Sequence, residues 1–187
     1  PEQIYLKDPE TSALGKRIIE HGILLIDEIG FDNFTFKKLG AKIGSNESSI
    51  YRYFESKHKL LLYLSSWYWA WLEYQLVIET FGISAPKAKL EKAIQIVTKT
   101  VAIDSHFSHI NEAILYKIIV NESTKSFLTK EVDAENRDGY FEIYKRLITR
   151  IEAMILAIKP EYSNALSLAS TVLEGSLHQN FLNEHFP

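Results

Sequence analysis

The sequence predicts an all-α chain, with a small amino-terminal three-helix unit that contains a helix-turn-helix and a larger helical remainder. Three observations lead there. Apolar residues recur at three- and four-residue spacing along most of the chain. Each clear break, at Gly30, Gly44, Gly82 to Pro86 and Lys159-Pro160, separates two such stretches. No segment shows the apolar–polar alternation of a half-buried strand. With 187 residues, 46% of them hydrophobic and 24% charged, the chain can bury a real core.

The elements follow in order. Asp8-Pro9-Glu10 supplies a capping carboxylate, a proline at the first helical position and an acid in the first turn, so a helix is expected from there to about Ile29. Its Ile18, Gly22, Leu25 and Ile29 recur at helical spacing, Gly30 suits a left-handed stop, and Phe31 and Phe34 plug the core of the small unit. Thr35 caps a short second helix whose Phe36, Leu39, Gly40 and Ile43 share one face, with Lys37, Lys38 and Lys42 largely off it. Gly44 ends it. Asn46 caps a third helix that turns Ile50 and Phe54 inward and leaves Glu47, Ser48, Ser49, Tyr51, Arg52 and Tyr53 mostly on or beside the outer face.

From Ser56 to about Thr80 nothing interrupts a long helix, which is expected to join the two parts. Ser84 or Ala85 before Pro86 opens another, expected to continue to about Asp104. Residues 110–121 form the next, and the polar stretch 121–138 is expected to hold a loop and a short helical piece. Two helices close the chain, one from Asp133 or Asp138 to Ile158 and one from Tyr162 to Asn183, with Lys159-Pro160 as the turn. Ala165, Ala169 and Gly175 on the last would let a further helix approach closely.

Charge is distributed unevenly. Between Thr35 and Lys59 five lysines and Arg52 stand against Glu47 and Glu55, a local charge of +4. The whole chain carries −3, so the remainder carries −7. A cationic helix-turn-helix in an otherwise acidic protein fits a local nucleic-acid contact, with the outer face of the third helix in the major groove. There Arg52 can pair bidentately with guanine or clamp a phosphate. Glu47 in the first turn suits the helix dipole.

The same segment resembles the DNA-binding domain of TetR/AcrR-family bacterial transcriptional regulators. The resemblance rests on Thr35, Leu39-Gly40, Gly44, Ile50-Tyr51-Arg52-Tyr53-Phe54 and Lys57, and covers roughly residues 8 to 65. It departs from the family pattern at Gly40, where alanine is usual, at Ser45, where a β-branched apolar residue is usual, and at Ser48, where glycine or proline is frequent. Gly40 is expected to weaken the second helix by roughly 1 kcal/mol. The resemblance implies that Ser48, Ser49 and Tyr51 meet bases or nearby phosphates and that Thr35, Tyr53 and Lys57 contact the DNA backbone. Lys37 joins them as a neighbouring cation. It also implies a DNA-binding domain over residues 1–55 and a ligand-binding and dimerisation domain over 56–187, a homodimer joined through the last two helices, a roughly palindromic operator, and repression relieved by a small, largely apolar effector.

Other features are open to two readings. Trp67, Tyr68, Trp69 and Trp71 suit either the aromatic wall of a ligand pocket or the packing of the linker helix, and Trp67 and Trp71 lie one turn apart. His106, His109 and Glu112 recur every three residues, as on one side of a metal site, and equally suit hydrogen-bonded surface positions. Glu174 and His178 are four apart, where a di-iron bundle needs three. His106, His109, Asn111 and Tyr116 are candidate ligand contacts.

There is no cysteine, which excludes disulfides, a thiolate zinc site and a cysteine nucleophile. Neither a hydrolase elbow, a phosphate-binding glycine loop nor a His-Glu-x-x-His motif occurs, so neither an enzyme nor a cofactor is expected. With no long apolar run, and no basic-then-apolar start in PEQIYLKDPE, a soluble cytoplasmic protein without membrane contact is expected. A DNA binder with no small-molecule ligand, and a helical-bundle metal protein, are the alternatives.

Overall fold

The structure, a computed structural model, describes residues 4–99, 109–122 and 124–186. Every regular element among them is helical: α1 (Ala13–Asn33), α2 (Phe36–Ile43), α3 (Glu47–Tyr51), α4 (Lys57–Thr80), α5 (Pro86–Thr98), α6 (Glu112–Glu122), α7 (Thr124–Phe127), α8 (Val132–Arg137), α9 (Glu142–Ile158) and α10 (Ala165–His185). Among the described residues no helix is long and apolar enough to cross a membrane.

The chain divides into two compact units. The first comprises residues 4–68 and 109–140, the second 69–99 and 141–186. In the first, α1 contributes Ile18, Ile19, Ile23 and Ile26 to a core closed by Phe34, Leu39, Ile50, Phe54, Leu60 and Leu64, all buried. Ion pairs run beside that core, from Asp27 to Lys117 on α6 and from Asp32 to Lys125 on α7. In the second, α10 buries Ala165, Ala169, Leu173 and Leu177, every fourth residue, so a single stripe faces inward. It packs on α9, whose Leu147, Ile148, Ile151 and Ile155 are buried, and α5 packs on both.

Several element ends differ from the sequence expectation, each for a local reason. Asp8 caps only a 3-10 turn, Pro9–Thr11, because the backbone is extended at Ser12; Ser12 then caps α1 by accepting from the Gly15 amide at 3.0 Å. The helix runs past Ile29 to Asn33, with a kink where Gly30 leaves helical geometry. Helix α5 stops at Thr98 rather than Asp104, since Lys99 turns extended. Helix α9 begins at Glu142 rather than at Asp133 or Asp138, because Gly139 has a positive φ of 82° and separates it from the short α8. The final helix begins at Ala165, three residues after Tyr162.

Candidate nucleic-acid interface

The helix-turn-helix is built from local caps. Thr35 Oγ1 accepts from the Lys38 amide at 3.2 Å and starts α2. Gly44 ends it in the left-handed region (φ 62°), which a residue without Cβ enters at no steric cost, and the Ser45 amide reaches back to the Gly40 carbonyl at 2.9 Å. Gly40 has a second role. A methyl group there would lie 2.7 Å from the Ser45 carbonyl oxygen, so the glycine allows the turn to close tightly against α2. Its low helix propensity is thus offset by a contact that the sequence alone did not suggest.

Asn46 organises the start of α3. Its Oδ1 accepts from the Ser49 amide at 2.8 Å, from Ser48 Oγ at 2.9 Å and from Ser49 Oγ at 2.6 Å. Two hydroxyls at the first turn are thereby fixed in direction. Ile50 is fully buried beneath them, and Tyr51 stands 46% exposed with its ring edge-on to Phe36 at 5.0 Å. Arg17, which the sequence did not single out, donates to the Ile43 carbonyl and ties α1 to the end of α2.

The cations of the segment divide into two groups. Lys42 pairs with Glu28, Lys38 donates to the Asn33 carbonyl at 2.8 Å, and Lys59 lies 3.5 Å from Glu135 and over the Tyr140 ring. Glu135 is itself buried and meets His58 Nε2 at 2.9 Å. Lys37 and Arg52 are exposed and have no ion pair among the described residues. The positive charge available to a partner therefore concentrates on these two, either side of α3 in sequence.

Two candidate backbone contacts sit elsewhere than expected. Tyr53, expected on or beside the outer face, is 3% exposed, and its hydroxyl lies 2.8 Å from Ser12 Oγ. The reason is that Tyr53 lies three positions after buried Ile50 and its amide donates to the Ile50 carbonyl at 2.9 Å, so it turns to the inward side with Ile50 and Phe54. Lys57 directs its ammonium at the end of α1, donating to the carbonyls of Phe31 (2.9 Å), Asp32 (3.0 Å) and Phe34 (3.2 Å). A lysine has three protons to give, and all three are used here.

Trp67 and Trp71 are half-buried on α4, while Trp69 is buried against Tyr144 with ring centroids 5.3 Å apart. Tyr116 contacts Tyr68 at 6.0 Å. Asn111 Oδ1 accepts from the Ile114 amide at 3.0 Å and so caps α6, and His109 Nε2 pairs with Glu10 at 3.0 Å. His106 falls outside the described residues. Glu112 is 1% exposed, and neither carboxylate oxygen has a hydrogen-bond partner among the described residues. Among the described residues no group of three or more His, Cys, Asp or Glu could hold a metal ion. Glu174 accepts from the Tyr144 hydroxyl at 2.7 Å.

A second feature was not read from sequence. Buried Glu73 on α4 binds both Arg146 and Arg150 of α9, with Arg146 Nε at 2.7 Å and Arg150 Nε at 2.6 Å. The hydrogen bonds from Arg146, and then from Arg150, hold the Glu73 carboxyl below its ordinary value.

Comparison with known proteins agrees with this geometry. Residues 18–64 match the model of bacterial regulatory proteins of the tetR family, a span that contains α2, α3 and the start of α4. Among solved structures, the chain is similar to AibR in complex with isovaleryl coenzyme A and operator DNA, with a TM-score of 0.59 and 16% identity over 91% of this chain and 85% of that one. It is also similar to the superantigen PfiT, with a TM-score of 0.53 and 20% identity over 95% of this chain and 97% of that one. No curated protein matches by sequence.

Proposed function

Since residues 18–64 make this chain a member of the tetR family of bacterial regulatory proteins, a DNA-binding regulator, we propose that two copies bind a roughly palindromic operator in the cytoplasm and release it when a small molecule occupies the helical remainder. The observation that carries the reading is the outer face of α3, which presents Ser48, Ser49 and Tyr51 and is flanked in sequence by Lys37 and Arg52, exposed cations with no ion pair among the described residues. That face has the size and charge to enter a major groove about 12 Å wide.

In this reading Thr35, Lys37 and Arg52 meet phosphates or guanine, and Ser48, Ser49 and Tyr51 meet base edges or adjacent phosphates. Tyr53 and Lys57 support the face from behind rather than donating to DNA. Residues 1–55 form the reading head, and 56–187 serve effector binding and pairing of copies. The last two helices join the copies, with exposed Gly175 permitting close approach while Ala165 and Ala169, expected to do the same, are buried within the protomer, and repression is the expected output. The solved complex of AibR with both an acyl coenzyme A and operator DNA supports a ligand-responsive scheme. A shift from 1:99 to 99:1 between binding and non-binding geometries requires a ligand preference of about 5.5 kcal/mol.

A gel shift against the DNA upstream of the protein's own reading frame tests the proposal. A retarded band abolished by Arg52→Ala together with Lys37→Ala is expected. Equal affinity for that DNA and for an unrelated duplex, unchanged by the double substitution, would end it.

A further inference from the structure

The second compact unit carries a groove of about 690 Å³ where the end of α4, the Gly82–Pro86 turn, the first turn of α5 and the last two turns of α9 meet. Its size lies within the usual range of small-molecule sites. The walls are apolar, with Leu76, Phe81, Ile83 and Met154 among them, and Phe81 stands 85% exposed at the edge. Isolated in solvent such a phenyl ring gains nothing, whereas against an apolar tail it would be covered.

The charges around this groove do not balance. Lys89 and Arg150 line it, and no carboxylate does. The nearby acids are already engaged: Glu79 with Lys92 at 2.6 Å, Glu91 with Lys87 at 3.9 Å, and Glu73 with both Arg146 and Arg150. One carboxylate cannot neutralise two guanidinium groups. Arg150 uses only its Nε on Glu73, so its terminal nitrogens remain for another acceptor, and Lys89 has no ion pair among the described residues. Because Glu73 is buried and holds Arg150 in place, the guanidinium fork is presented at the groove in a fixed direction.

We propose that this groove binds an amphiphilic organic acid, its carboxylate held between Arg150 and Lys89 and its apolar tail laid along Leu76, Phe81, Ile83 and Met154. Binding stands on the groove alone. Its consequence for DNA rests on the operator-binding reading above, for which it supplies the chemical class of an effector.

Isothermal titration calorimetry of the full chain with octanoate, octan-1-ol and octylamine tests it. Octanoate should bind at least tenfold more tightly than either comparator, because only it offers an anionic acceptor with two oxygens to the two cations. Lys89→Gln should weaken octanoate by about tenfold, and Ala157→Phe, which fills the groove from α9, should remove binding. Arg150→Gln should do as Lys89→Gln does, but it also touches Glu73, so Lys89→Gln decides. Absence of octanoate binding, octylamine binding as tight as octanoate, or an unchanged affinity in both Lys89→Gln and Ala157→Phe would overturn the proposal. Absence of octanoate binding with an intact operator shift defeats the groove and spares the regulator. Octanoate binding in a protein that recognises no operator does the reverse.

Discussion

Lys57→Ala distinguishes a strut from a DNA contact. The ammonium makes three hydrogen bonds of 2.9 to 3.2 Å to the carbonyls of Phe31, Asp32 and Phe34, and lies 4.8 Å from the Phe31 ring centre. A hydrogen bond to a charged group contributes about 1.5–3 kcal/mol when its partner is left bare. The Asp32 bond is exposed and water can replace it, so the loss amounts to the two part-buried bonds at the lower end of that range, or about 3 kcal/mol. For a domain of this length each kcal/mol corresponds to about 2–4 °C. The melting temperature followed by circular dichroism should therefore fall by about 6–12 °C.

Operator affinity, measured by fluorescence anisotropy over a salt series at a temperature where the variant is folded, should keep its salt slope within a fraction of a unit. Lys37→Ala, which removes an exposed cation with no ion pair among the described residues, should flatten the slope by about one unit and leave the melting temperature within about 1 °C. An unchanged melting temperature for Lys57→Ala, or a slope reduced by a full unit, would refute the assignment of its three protons to the end of α1.

Three more outcomes are expected. Tyr53→Phe should lower stability by about 1 kcal/mol, since it removes one hydroxyl from a part-buried pair with Ser12, and should leave operator affinity unchanged; a selective loss of DNA binding would place the hydroxyl at the interface instead. Asn46→Ala should cost about 1 kcal/mol through the lost cap, whereas Ser49→Ala should alter the preferred operator sequence with little change in melting temperature, as read by binding-site selection. Glu73 has a folded-state carboxyl below its ordinary value, so the stability it contributes is complete above that value and is lost as pH falls through the lowered one. The difference in melting temperature between the wild type and Glu73→Gln should accordingly shrink on acidification below about pH 4.5, and a difference that widens would contradict the pairing with Arg146 and Arg150.

What the sequence determined by itself is what neighbouring residues decide among themselves. Thr35, Gly44 and Asn46 could be recognised as cap, stop and cap because each acts on backbone groups no more than four positions away. The same holds for the interruption at Lys159-Pro160 and for the uncut length of α4. The cationic character of the reading segment is likewise a property of composition.

Tertiary structure decided where those charges point. Lys57 meets carbonyls 23 to 26 residues before it, Tyr53 meets Ser12 across 41 residues, and Glu73 meets its arginines across 73 and 77. Helical periodicity places a residue on a face but says nothing of what that face meets, so a lysine that neutralises a helix end and one that awaits a phosphate look alike until the chain is folded. Gly40 shows the same limit: its low helix propensity is written in the residue, and the carbonyl that makes the missing methyl useful arrives only when the turn closes.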